Sequence, residues 1–161
     1  MINTYRTLIL LGVSAVVLAD EWFKSWALVH LPAEGTVPAG LLALIIHKNP
    51  GIAFDLPFKM PLIIAISLFI GAFLIRLAWT SRYSRPNASV FALMVVLGAL
   101  GNLYDRVAYG FTVDYLMISG RLAVNLCDGI IIAGVVGLLF SGKLEKLSTP
   151  PLTKRPESGI L

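Results

Sequence analysis

Four stretches of the chain, residues 7–31, 60–80, 88–105 and 122–140, are apolar over lengths near the ~20 residues that a helix needs to cross a bilayer. Few folds accommodate four such segments in 161 residues other than a helical membrane bundle. A hydrophobic fraction of 57% with a mean hydropathy of +0.83 exceeds what a soluble domain of this length requires, so the chain reads as a polytopic membrane protein. No linker divides it and no internal repeat is visible, which argues for one domain over 1–145 followed by a mobile tail over 146–161. The single cysteine, Cys127, excludes an internal disulfide and makes a thiolate metal cage implausible. Neither a metal nor an organic cofactor is expected.

The first run, 7–19, is short enough to be a secretory signal peptide with Arg6 as its positive end. Apolar character resumes at Trp22, Phe23, Trp26 and Leu28, however, and a membrane helix over 7–31 is the better reading. Asp20 and Lys24 are four apart on it and share a face. The connection 32–59 is rich in proline and glycine, and its β-branched run 41–46 predicts a strand, extended or paired by 51–54. A small β element over about 35–58 is therefore expected on the membrane surface. In the third span Gly98, Asn102 and Asp105 lie on one stripe, beside Gly101, where a neighbouring helix can approach closely. Asn125 and Asp128, three apart, share a face of the fourth.

Lysine and arginine orient the bundle. Arg6, Arg76, Arg82, Arg85, Lys143, Lys146, Lys154 and Arg155 fall on one side, and Lys48, Lys59, Arg106 and Arg121 on the other. The positive-inside rule then places both termini in the cytoplasm, and the net charge of +4 needs no nucleic acid to explain it. In this topology Asp20, Lys24, Asn49, Gly51, Asn102, Asp105, Asp114, Asn125 and Asp128 gather at the outer end. Helix direction alternates between spans, so the clustering points to one site.

Carboxylates within apolar segments are expensive and functional by default. Two of them close together share a proton, the arrangement of aspartic peptidases, in which one activates water and the other protonates the scissile carbonyl oxygen. Arg106 follows Asp105 and is expected to hold it in a structural role. Asp114 and Asp128 have no basic neighbour in sequence and are the expected pair. Lys24 reads as the partner of Asp20 rather than as a base for a serine such as Ser119. Cys127 reads as a packing residue, with His30 and His47 both distant in sequence.

At these residues the chain resembles the bacterial lipoprotein signal peptidase family, signal peptidase II. The matching blocks are Asp20-x-x-x-Lys24, Asn49-Pro-Gly-Ile-Ala-Phe54, Gly98-Ala-Leu-Gly-Asn-Leu-Tyr-Asp-Arg106, Gly110 with Val113-Asp-Tyr115, and Asn125-Leu-Cys-Asp128. The resemblance implies an inner-membrane aspartic endopeptidase of four helices with a β cradle on the outer face. Such an enzyme removes the signal peptide from prolipoproteins by cutting before the diacylglyceryl-modified cysteine. It further implies Asp114 and Asp128 as the catalytic pair, with Asn49, Gly51, Asn102, Arg106 and Asn125 shaping the pocket, and globomycin-type cyclic peptides as inhibitors. The protein would act as a monomer among membrane lipids.

The chain departs from the family's pattern at Glu21, Cys127 and Tyr115, where glutamine, alanine and phenylalanine are usual. Tyr115 is expected to change little. Two other readings compete with the peptidase: a proton or cation carrier using Asp128 and Asp20, and a silent relative that only binds lipoprotein precursors. The cytoplasmic halves of the spans are almost bare of ionisable residues, which disfavours a relay.

Overall fold

A computed structural model of the chain describes residues 4–33, 41–51 and 59–148. Four helices, α1 (Thr4–His30), α2 (Met60–Ser81), α3 (Pro86–Tyr109) and α4 (Leu126–Ser148), carry one three-stranded sheet of β1 (Leu42–Asn49), β2 (Thr112–Ile118) and β3 (Leu122–Val124). The sheet is antiparallel in the order β1-β2-β3. Helices α2, α3 and α4 (the last over Leu126–Lys143) are long and apolar enough to cross a bilayer, and the chain is a multi-pass membrane protein. Helix α1 is as long but carries Asp20, Glu21 and Lys24.

Local chemistry sets the boundaries. Pro61 and Pro86 stand in the first turns of α2 and α3, where a missing N–H is harmless. Gly110 closes α3 at φ 80°, in the left-handed region that favours glycine, and its N–H returns to the Arg106 carbonyl at 3.1 Å. Ser119 and Gly120, at φ 51° and 63°, turn β2 into β3 with the twist a tight hairpin needs.

The sheet is larger than the expected element over 35–58. Only β1 comes from that connection; β2 comes from the connection between the third and fourth spans, 106–121, for which no strand is expected from sequence. Residues 122–124, expected to begin the fourth span, are instead β3, because a short apolar run does not by its pattern separate strand from helix. The predicted extension over 51–54 lies beyond Gly51 outside the described residues, as does the tail from 149.

Helix α3 is the centre of the bundle, packing against α1, α2 and α4, whereas α2 and α4 barely touch among the described residues. Its seam with α4 depends on glycine at both sides. A β-carbon on Gly98 would stand 2.9 Å from the Cys127 carbonyl oxygen, and one on Gly134 would stand 2.6 Å from Val95 Cγ2. A β-carbon on Gly101 would stand 2.6 Å from Cys127 Sγ and 2.8 Å from Glu21 Oε1. Gly101→Ala is therefore expected to lower stability by about 1–3 kcal/mol, read as an earlier unfolding midpoint in detergent. Adding Cys127→Ala removes the sulfur and should restore part of the loss.

Candidate active site

The site is built on a buried lysine. Lys24, fully enclosed, places Nζ 3.2 Å from Asp20 Oδ2, 3.0 Å from Glu21 Oε1 and 2.9 Å from Asp105 Oδ2. The same ammonium donates to Asn102 Oδ1 at 3.2 Å. Asp20 in turn accepts the Tyr115 hydroxyl at 2.6 Å and the N–H groups of Leu126 and Cys127, each at 3.3 Å. Those two N–H groups open α4 and have no partner within it, so a carboxylate from α1 satisfies the start of α4. Asp105 accepts the Val113 N–H at 3.1 Å. One cation and its carboxylates thus join α1, α3, α4 and β2.

Asp105 takes Lys24 as its counterion, where the sequence suggested Arg106. Consecutive helical side chains diverge by about 100°, so neighbours in sequence seldom share a partner. Arg106 turns instead to main-chain oxygens, donating to Asn102 O and to Gly51 O, both at 3.2 Å. Asp20, Glu21 and Cys127 bring one potential ligand atom each within 4.8 Å of one another, but the Lys24 ammonium already lies in ion-pair contact with both carboxylates. That grouping is an ion-pair cluster.

Asp114 on β2 and Asp128 on the first turn of α4 meet around Asn125. The Asn125 side chain donates to Asp114 Oδ1 at 2.7 Å, and its main-chain N–H donates to Asp128 Oδ2 at 3.2 Å. Its own Oδ1 accepts the Asp128 N–H at 3.0 Å, so Asn125 and Asp128 cap the helix reciprocally. Asn49 Nδ2 donates to Asp114 Oδ2 at 3.1 Å while Asn49 Oδ1 accepts the Gly51 N–H at 3.0 Å. Asn102 Nδ2 donates to Asp128 Oδ1 at 2.7 Å. With the Asn102 oxygen taken by Lys24, only its amide nitrogen can face Asp128.

Burial, and then the nearby charge of Asp128, push the Asp114 carboxyl up from its ordinary 3.8 to about 7; the donors Asn49 and Asn125 and the nearby His47 oppose the rise. Both carboxylates face a cavity of about 530 Å³ between α2, α3 and α4. Its head is polar, with Asn49, Asn102, Arg106, Asp114 and Asp128, and its walls are apolar, with Ile63, Ile70, Val96 and Ile131 among them. Of the candidate site residues, Asp20 and Asp105 lie with Lys24; Asn49, Asn102, Arg106, Asp114 and Asp128 line the cavity; and Gly51 and Asn125 are hydrogen-bonded to residues that line it.

Two contributors were not read from the sequence. Tyr115, expected to change little, uses its hydroxyl to donate to Asp20 and to accept the Leu126 N–H at 3.1 Å. A phenylalanine offers neither bond. His47 stands opposite Asp114 in the β1–β2 ladder, a relation that only the register reveals.

Fold and site together define a polytopic membrane protein with an acidic pair at one end of its helix bundle, over an apolar cavity. Residues 13–143 match the family model for signal peptidase (SPase) II. The lipoprotein signal peptidase of Syntrophomonas wolfei is 34% identical over 138 residues, spanning 81% of this chain and 92% of the relative. That of Methylocella silvestris is 33% identical over 147 residues, spanning 84% and 85%. A bacterial membrane enzyme solved by the in meso method at 2.3 Å resolution shares the fold, with a TM-score of 0.73 over 94% of each chain at 23% identity. The chain belongs to the signal peptidase II family.

Proposed function

We propose that the chain is an aspartic endopeptidase that removes the signal peptide from diacylglyceryl-modified prolipoproteins, cutting before the lipidated cysteine. The observation that carries this reading is the sharing of Asn125 by two carboxylates at the polar head of an apolar cavity. The ionised member of the Asp114–Asp128 pair takes a proton from water as its oxygen attacks the scissile carbonyl, and the protonated member donates to the carbonyl oxygen. Collapse of the tetrahedral species breaks the C–N bond and returns the proton to the leaving amine. Asn49, Asn102 and Asn125 orient the carboxylates, and Arg106 and Gly51 shape the polar head.

Four spans, with α1 as the first and both termini cytoplasmic, set this site near the outer leaflet of the inner membrane. The basic residues of the α2–α3 turn support that orientation. A single domain over 1–145 acts as a monomer, with lipid-modified precursor entering from the bilayer and globomycin-type cyclic peptides competing for the same cavity. The carrier reading loses its second carboxylate, since Asp20 is ion-paired to Lys24 and accepts three hydrogen bonds.

The purified chain, given a prolipoprotein with and without the diacylglyceryl group, should release the signal peptide from the lipidated form, with mass spectrometry placing the cut before the modified cysteine. A folded protein that binds the precursor and leaves it intact would be a silent relative.

A further inference from the structure

The β1–β2 ladder changes register once. Leu42, Ala43 and Leu44 pair with Ile118, Met117 and Leu116, while His47, Lys48 and Asn49 pair with Asp114, Val113 and Thr112. Between the two runs Ile45 and Ile46 stand against Tyr115 alone, a one-residue bulge. In the register of the first run Ile46 would face Asp114. The inserted residue puts His47 there instead, and Ile46 is buried against Ala27, Val113 and Tyr115.

Directly opposed residues of an antiparallel pair project from the same face, with β-carbons about 4.5–5.5 Å apart. Asn49, two residues along β1, shares that face and holds Asp114 at 3.1 Å. One edge of β1 therefore supplies Asp114 with both a hydrogen-bond donor and a titratable ring.

We infer that His47 is a positioning residue of the site, whose imidazolium charge across the ladder sets the pH at which the acidic pair gives up its last proton. The inference rests on the reading of Asp114 and Asp128 as the catalytic pair. Among the described residues, the other charged groups near Asp114 are Asp128 from α4 and Arg106 from α3. Helix α2 presents apolar side chains and Ser67 to the cavity. The charges of α1 meet β2 from its other face, through Tyr115, and Lys48 lies over the Phe111 ring at 5.2 Å. Among these, a histidine is the side chain whose ordinary ionisation falls near neutrality.

The sign follows from charge. A cation beside Asp114 favours its ionised form, so it lowers the pH at which the pair loses the shared proton. His47→Gln should move the alkaline limb of kcat/KM upward, and His47→Arg, permanently charged, should move it downward, the two differing by about one pH unit. Wild type should lie between them.

The test is the pH profile of lipidated-prolipoprotein cleavage by the full chain, wild type, His47→Gln and His47→Arg, each checked by thermal unfolding. In parallel, infrared absorption of the protonated carboxyl is titrated without substrate and assigned by its loss in Asp114→Asn. Opposite displacements of the two variants in either titration support the inference. Coincident limbs and coincident carboxyl titrations, with wild type active, overturn it and leave the catalytic pair standing. Full activity of Asp114→Asn would instead remove the pair on which it rests.

Discussion

Asp114→Asn and Asp128→Asn are each expected to lower cleavage of lipidated precursor by about 10³-fold or more, with the protein still folded. Asparagine keeps the size of the side chain and removes the group that takes or gives a proton, so kcat falls and precursor binding survives. Wild-type activity should fall above about pH 7, where Asp114 gives up the proton that burial and Asp128 hold on it. Stability runs in the same direction with pH, but over a lower window. The folded state binds the Asp114 proton more tightly than the unfolded chain does, so this group's contribution is greatest below pH 3.8 and is lost as pH rises to about 7. Asp114→Asn removes that dependence, and at pH 8 the variant should unfold no earlier than wild type. Activity and thermal unfolding measured on one preparation separate the two effects. A variant that is inactive because it has unfolded would point to a structural role for the carboxylate.

Lys24→Met is expected to lower stability by about 3–5 kcal/mol, because Asp20 and Asp105, both without solvent exposure, lose the cation between them. The loss spreads beyond the pair. Asp20 holds the first N–H groups of α4, and Asp105 holds the N–H of Val113 beside Asp114. Asn102 also loses the contact that fixes its amide, so its nitrogen is no longer committed to Asp128. Thermal unfolding in detergent should show a lower midpoint. At a temperature where the variant is still folded, kcat should remain depressed. Full activity there would show that Lys24 acts on folding alone.

The sequence made the helices legible because apolar runs near twenty residues leave a bilayer protein little choice. It also brought the polar residues together, through alternation of helix direction and the distribution of Lys and Arg. What it did not yield was pairing across the chain. Asp105 and Arg106 are adjacent in sequence and part in space, while Lys24 and Asp105 are 81 positions apart and meet at 2.9 Å. Strands β2 and β3 were hidden for another reason: three to seven residues of apolar and β-branched side chains carry too little pattern to stand out beside helices of more than twenty. His47 depended on a bulge, and a bulge leaves no mark in composition.

Asn125 is the single residue between β3 and α4, and both candidate carboxylates depend on it. Three helices and all three strands of the sheet emerge from the ribosome before this residue does. Asp114 has by then been synthesised, but the donor at 2.7 Å and the second carboxylate have not. A partly made chain therefore holds Asp114 with Asn49 as a donor, but without Asn125 and without Asp128, the other carboxylate of the proposed pair. Under the proposed function, the two carboxylates and the asparagine between them come together in one step, when the last helix docks.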